Sequence, residues 1–532
     1  MADLVIHNAT IHTMDPANPR ADWMTVQGGR ILALGRGAPP DAAQRLDAKG
    51  LTLLPGFQDA HVHLLDGGTD LVETAPLYDC QTLDDIQRTM AAHAAQRGGP
   101  MVWGAGWQCG FFGDHNLTRA VLDAVVPDRP CLIFDGNFHN ACINSAAIAM
   151  AGIDDQTPDP LNGHFVRDAA GRATGMLHED AIYWVRARLP QTSDQTRYQG
   201  LLAGMAHANQ LGITGVLDAA IQPYQRAAYA RGEAEGALTL RVAGTMHITA
   251  NELVAEAVAR LIEWRDAHRS QDFHLHSAKV FMDGGLENRT AALIAPYADI
   301  GGNAPLMFQP DHIAELFTAL DAARFQIHVH CIGDAAVRAT LDGFEAARRA
   351  NGVWPSLHQI AHCQMVHSDD LERFSALGVM ANLQLLWACN DPLIPDETMA
   401  MIGPERAPLT YPARSLIDAG APFCLNSDWP VTTLNPFEII GTAITREPPR
   451  SRGRAEPFFP HQRLSRIEAL QGYTTHAAAA CWRGGFTGAL KPGFSADAIL
   501  LDRDLLTCDP YAIAETRVLA TLFKGRLVHD IR

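Results

Sequence analysis

Positive charge is scarce in this chain, and lysine is scarcer still. Of 532 residues 42 are basic, and only Lys49, Lys279, Lys491 and Lys524 among them are lysines. Against 59 acidic residues this leaves a formal net charge of -17, so a nucleic-acid or anionic-membrane partner, which needs a basic face to neutralise phosphate, is not expected. No window holds 18 uninterrupted apolar residues, and a membrane-spanning helix is therefore not expected either. The first residues, Met1-Ala-Asp-Leu-Val-Ile-His7, lack a basic segment followed by an apolar core, which makes the cytoplasm the expected compartment. Cys-x-x-Cys pairs are missing as well. Ten cysteines scattered without that spacing argue against a disulfide framework and against a structural zinc knuckle. Cys331, Cys363 and Cys424 sit in apolar runs and read as small buried hydrophobes.

What is present is organised in three stretches. Residues 1–54 alternate apolar and polar residues around a Gly28-Gly29 turn, which fits a small antiparallel sheet, and residues 483–532 read the same way. Each is too small to stand alone, so the two are expected to pack as one β-sandwich domain around an inserted body, residues 55–482. Between roughly 197 and 430 that body alternates helical patterns with short apolar strands, near Thr214–Asp218, Leu240–Met246, His276–Met282, Phe325–His330, Leu357–His362, Gly378–Gln384 and Pro422–Asp428. With the strand that ends in His61-Val-His63 this makes eight βα units, an α/β fold of the (β/α)8 TIM-barrel type with its chemistry at the C-terminal face of the strands. The interval from about 68 to 195 is too long for a βα loop and reads as an insertion after the first strand.

Residues two apart on a strand point to the same side, so His61 and His63 project together. Alone, the pair reads first as two hydrogen-bonded histidines in a loop. Company makes the difference: Lys279, His330, His362 and Asp428 also fall near the ends of their strands. Lys279 lies among Ala278, Val280 and Phe281, surroundings that lower an ammonium's pKa. A neutral primary amine adds carbon dioxide to become a carbamate, an oxygen-donor anion able to bridge two cations, which arginine cannot do. The rival is a lysine paired with an acid such as Asp283. His328, two before His330, faces the same side and reads as a residue that orients a ligand or touches substrate.

These residues together resemble the amidohydrolase superfamily, and within it the YtcJ-like (amidohydrolase 3) family. The resemblance runs through Pro-Gly-Phe-Gln-Asp-Ala-His-Val-His-Leu at 55–64, Gly-Met-Leu-His-Glu at 175–179, Ala-Lys-Val-Phe-Met-Asp-Gly-Gly at 278–285, and His-Cys-Ile-Gly-Asp-Ala-Ala-Val at 330–337. It continues in Ile-Ala-His-Cys-Gln at 360–364, Asn-Ser-Asp-Trp-Pro-Val at 426–431 and Leu-Lys-Pro-Gly-Phe-Ser-Ala-Asp at 490–497. The resemblance implies a metal-dependent barrel beside a small β-sandwich and hydrolysis of a carbon–nitrogen bond outside ordinary peptides. It also implies that His61, His63 and Asp428 bind one metal, that His330 and His362 bind a second, and that Lys279, as N6-carboxylysine, bridges them. Zinc is expected from the imidazole-rich set, with manganese or iron as alternatives. Two such ions lower the pKa of water and polarise a carbonyl. Asp428 is then the catalytic group that moves the water's proton to the leaving amine.

For substrate, Trp103, Trp107, Phe111, Phe112, Phe138, Trp387 and Trp429 are candidates for a partly aromatic cleft suited to an N-acyl or N-aryl amide. Any one of them reads equally as satellite core. His139, His178 and Glu179 are candidate pocket residues, and Arg289 is a candidate fork for a carboxylate or an ordinary surface ion pair. The expected partners are a small-molecule substrate and at most further copies of the chain. Three rival functions share the barrel: a mononuclear deaminase or cyclic-amide hydrolase, an esterase or lactonase, and a non-catalytic binding protein. The first normally needs an acid just after the fifth strand, where only Asp334, read as a helix cap, is available.

Overall fold

Seven short strands precede the barrel: β1 Ala2–His7, β2 Thr10–His12, β3 Arg20–Ala21, β4 Trp23–Gln27, β5 Arg30–Gly35, β6 Ala42–Asp47 and β7 Thr52–Pro55. They belong to a computed structural model that describes residues 2–108, 117–136, 138–287, 289–390 and 395–532. Gly28 and Gly29, both at positive φ, turn β4 into β5 as an antiparallel hairpin. The region is not a single antiparallel sheet, however. β1 pairs in parallel with β6, and β2 in parallel with β7. The long connections between those partners carry the chain back to its starting side, which a tight turn cannot do.

The next strand, β8 at Phe57–Val62, opens the barrel. After Leu64 the chain builds a separate compact unit, residues 65–204. Its sheet contains β9 Ala75–Pro76, β10 Val102–Trp107, β11 Cys131–Asp135, β12 Asn140–Ile143, β13 Gly163–Arg167 and β14 Ala173–Glu179, in the order β13-β14-β12-β11-β10-β9. Apolar cores line both faces. Trp103 lies in one with Phe134, Phe165 and Val185, and Trp107 in the other with Met90, Ile133 and Met176. Four residues apart on a regular strand, the two indoles would share a face. A bulge between Ala105 and Trp107, at Gly106 with φ +100°, turns Trp107 over. The two tryptophans expected to line one cleft therefore sit in different cores, and Phe138 packs beside the first of these. Phe111 and Phe112 lie outside the described residues.

The chain returns with β15 Ile213–Ile221, β16 Arg241–His247, β17 Phe273–Phe281, β18 Gln326–Cys331, β19 Gln359–His362, β20 Met380–Leu383 and β21 Phe423–Leu425. These pair in parallel, neighbour to neighbour in chain order, with β8 beside β15. Between β8 and the end of β21 the circuit is completed by Asp428 N–H donating to His61 O at 2.9 Å and His63 N–H donating to Trp429 O at 2.8 Å. The fold is thus an α/β barrel of eight parallel strands. Its interior holds a head-to-tail row of amides: Asn426 donates to Asn382 Oδ1, Asn382 to Gln359 Oε1 at 2.8 Å, and Gln359 to Gln326 Oε1 at 2.9 Å. Every member of the row is buried, and each amide donates to the next across the strands, with Asn426 Oδ1 at the end of the row making no hydrogen bond among the described residues.

Three final strands, β22 Ala498–Leu501, β23 Val518–Phe523 and β24 Arg526–Asp530, join β7, β2 and β3 in a six-stranded sheet through antiparallel pairing of β22 with β7. This sheet and the one formed by β5, β4, β1 and β6 share a core that includes Ile6, Met24, Leu53, Leu500 and Leu522. The nine cysteines among the described residues are free, and burial pushes the Cys131, Cys142 and Cys363 thiols upward. Among the described residues no helix is long and apolar enough to cross a membrane.

Candidate metal centre

The C-terminal ends of β8, β17, β18, β19 and the turn after β21 bring their polar side chains to one place. Asp428 is its hub. Its Oδ1 lies 3.3 Å from His61 Nε2 and 3.4 Å from His63 Nε2, and its Oδ2 lies 3.8 Å from His362 Nδ1. One ligand-type atom from each of His61, His362 and Asp428 can be chosen so that all three lie within 4.8 Å of one another. These spacings exceed the 2.7–2.9 Å of a charge-assisted hydrogen bond. They suit donors that face a common centre better than donors bonded to each other. Lys279 Nζ sits 3.4 Å from His61 Nε2 and 4.7 Å above the Phe281 ring. All of these groups are buried except His63, which is partly exposed.

Charge follows from that burial. Desolvation, reinforced by Lys279 and the neighbouring imidazoles, holds His61 well below the ordinary histidine value, in its neutral metal-ligating form. Burial brings Lys279 from 10.5 down to about 7 against the opposing pull of Asp428. His63 goes the other way: burial alone would lower it, but the Asp428 carboxylate 3.4 Å from its Nε2 outweighs that and raises it.

His362 joins His61 and Asp428, whereas His330 packs edge-on against His362 with ring centroids 4.3 Å apart and turns Nε2 to Gly284 O at 3.3 Å. Asp428 lies three residues beyond β21, not on it, and has a left-handed φ of +55°; His362 ends β19 with φ +75°. Non-glycine residues hold such conformations at a cost of order 1–3 kcal/mol. The strain turns both side chains away from the direction the strand would give them.

Supporting residues fix the ligand-type groups. His328 Nε2 lies 2.8 Å from His61 Nδ1, so one proton is shared along that line and the His61 ring cannot rotate without losing it. Asp59, buried two residues before His61, accepts from the His61 and Ser427 amides at 3.1 Å, tying the backbone beside two of the site's side chains; burial raises it to about 7. Asp283 accepts from the amides of Ala292, Ile332 and Gly333 at 3.0, 2.9 and 2.8 Å, joining the loops that follow β17 and β18. That role, rather than a pairing with Lys279, is what its carboxylate performs. Gly333 has no room for a side chain there, since a Cβ would lie 2.0 Å from Ala292 O. Asp334 is the first residue of its helix and not the cap, which is Gly333; its Oδ1 accepts from Ile294 N–H at 2.8 Å.

The remaining candidates are distributed as follows. Trp387 stacks on His362 at 5.7 Å, and Trp429 packs against His207 at 5.6 Å while its carbonyl holds His63. Arg289 forks onto Asp299. In the 65–204 unit His139 Nδ1 pairs with Glu179 Oε2 at 2.8 Å, and His178 bonds to Asn140. Sequence reasoning overlooked Asp59 and His247. Asp59 carried a signal, an acid two residues before His61 and so on the same side of the strand. His247, the last residue of β16, is held to about 4 by burial and by Lys279 and Arg260, and its Nδ1 meets Gln222 Nε2 at 2.8 Å.

Comparison with known proteins places this geometry in a family. Residues 44–529 match the amidohydrolase family. The chain is 28% identical over 552 residues to the protein LONG AFTER FAR-RED 3 of Arabidopsis thaliana, covering 99% of this chain and 92% of the plant protein. It is 29% identical over 556 residues to the N-substituted formamide deformylase of Arthrobacter pascens, covering 100% and 99%. An uncharacterized metal-dependent hydrolase of Pyrococcus horikoshii OT3 has the same fold, with a TM-score of 0.76 at 23% identity over 95% of this chain and 99% of that one. With its barrel, its convergent histidines and its aspartate, the chain belongs to the amidohydrolase family.

Proposed function

We propose that the protein is a metal-dependent hydrolase that cleaves the carbon–nitrogen bond of a small non-peptide amide with an N-acyl or N-aryl substituent. The observation that carries this is the convergence of His61, His362 and Asp428, buried, with Lys279 beside His61. These residues fit a divalent cation: two imidazoles and one carboxylate are a zinc-type donor set, and a buried neutral His61 offers a lone pair. Lys279 would add carbon dioxide at its neutral amine, releasing one proton, and the N6-carboxylysine would supply oxygen donors beside the imidazole nitrogens of His63, His330 and His362. The similarity to the N-substituted formamide deformylase supports small N-substituted amides, formamides included, as the first substrates to try.

Bound at these donors, the cation supplies Lewis acidity, which lowers the pKa of water to near 7 and polarises a carbonyl. Asp428 takes the proton of the attacking water as oxygen bonds to the carbonyl carbon, and returns it to the amine nitrogen as the carbon–nitrogen bond breaks. His63, whose Nε2 lies 3.4 Å from the same carboxylate, steadies its negative charge between those transfers. His328 keeps the His61 ring aligned throughout.

Protein stripped with a chelator and reloaded with zinc, manganese or iron, then assayed for amine release from N-substituted formamides, N-acyl and N-aryl amides, cyclic amides, esters and lactones, tests the reading. Hydrolysis that vanishes on stripping, returns on loading and favours amides supports it. Hydrolysis indifferent to metal, or none by loaded protein, contradicts it. One convergent donor group among the described residues, with His330 turned to Gly284 O, favours a second reading with one ion per chain. Metal counting separates the two.

A further inference from the structure

His247 ends β16 half-buried, and its surroundings hold it in one pose. Its carbonyl accepts from Arg260 Nη2 at 2.8 Å, while Arg260 also forks onto Glu252, and the next amide, Ile248 N–H, donates to Lys279 O at 3.0 Å. The imidazole stands edge-on to Phe281, with centroids 5.5 Å apart and planes at 87°. Phe281 in turn packs against His330 at 5.3 Å and lies under the Lys279 amine. One phenyl ring therefore separates His247 from two members of the candidate metal centre.

The hydrogen bonds also fix which nitrogen of His247 carries the proton. Gln222 is the residue before the helix Pro223–Ala234, and its backbone N–H donates to Gln225 Oε1 at 2.6 Å. The side-chain NH2 of Gln222 is the group that meets His247 Nδ1, at 2.8 Å. An NH2 group can only donate. Nδ1 must then carry the lone pair, and the ring's proton is on Nε2. No hydrogen bond among the described residues takes up that Nε2–H.

The geometry points to His247 as a substrate-binding donor whose Nε2–H is directed at the carbonyl oxygen of the amide; this rests on the amide-hydrolase reading proposed above. As water adds to the carbonyl carbon, the π pair moves onto oxygen and the hydrogen bond from Nε2 strengthens; when the carbon–nitrogen bond breaks, the pair returns. The proton stays on His247 throughout. A donor already oriented by Gln222 needs no reorganisation as charge develops, which is the condition under which such bonds contribute most to rate.

The test has a structural arm and a kinetic arm, both on the full-length metal-loaded protein. In nitrogen-15 NMR of histidine-labelled protein, with His247→Leu to assign the resonance, the wild-type ring is expected to carry its proton on Nε2 across the neutral range. In Gln222→Glu, a carboxylate acceptor is expected to draw it to Nδ1 in mildly alkaline solution. With the amide turned over fastest, His247→Leu and alkaline Gln222→Glu are expected to lose about 10²-fold in kcat with little change in KM. His247→Gln, which returns an N–H near the Nε2 position, is expected to recover part of that. A proton on Nδ1 in the wild type overturns the inference whatever the enzyme hydrolyses. An active wild type matched by His247→Leu overturns it and leaves the amide-hydrolase reading standing. A wild type that hydrolyses no amide overturns that reading and the role of His247 with it.

Discussion

Replacing Lys279 with methionine is expected to make the metal-free protein more stable while abolishing its activity. The amine is fully buried, and burial lowers its pKa from 10.5 to about 7, with Asp428 opposing. In the unfolded chain it regains its ordinary value. Between those two pH values the unfolded state binds the extra proton, so stability rises with pH across that window; below about 7 both states are protonated and the folded state bears the whole penalty. At about 1.4 kcal/mol per pKa unit, the penalty is on the order of 5 kcal/mol. Methionine fills a similar volume with no charge, so it relieves the penalty without opening a large cavity. The assay is the urea unfolding midpoint of wild type and Lys279→Met with chelator present and carbon dioxide excluded, which keeps the amine free. The variant is expected to unfold at higher urea in mildly acidic buffer, and the gap is expected to close as pH rises toward 10.5. Equal midpoints in acid, or a gap that does not change with pH, would refute the claim that the fold holds this lysine against its charge.

Asp428→Asn is expected to lower kcat by about 10² to 10⁴-fold, with the circular dichroism of the wild type retained and bound metal reduced. His328→Leu removes the 2.8 Å contact to His61 Nδ1 and is expected to weaken metal binding about 10 to 100-fold, read by competition with a chromogenic chelator. Asp283→Ala leaves the amides of Ala292, Ile332 and Gly333 without their acceptor; at about 1–3 kcal/mol for each buried amide, a loss of at least about 3 kcal/mol and a clear drop in the thermal midpoint are expected. Asp283→Asn, which keeps one oxygen, is expected to fall between wild type and Asp283→Ala.

The barrel was legible because its strands are short apolar runs ending in polar residues, and because helical patterns separate them. Histidines two apart and a lone lysine in an apolar setting marked where the polar cluster would form. Backbone detail at the strand ends was not legible. Periodicity assigns a side to residues on a regular strand, but His362 and Asp428 depart from it through left-handed φ values, and Trp107 departs through a bulge. The scaffolding carboxylates were hidden for another reason. Asp283 acts on amides 9, 49 and 50 residues further along, a relation that no local pattern encodes. His247 was invisible because its significance depends on a glutamine from a helix cap 25 residues earlier.

Whether the buried side chains around Asp428 hold metal together decides the proposed chemistry. The most direct measurement is an anomalous difference map, collected at the metal absorption edge, from crystals of zinc-loaded protein at high resolution. The account predicts a strong peak bounded by His61, His362 and Asp428, and additional carboxyl density extending from Lys279 Nζ toward it. A map with no peak there, or a peak elsewhere and a bare Lys279 amine, would contradict it.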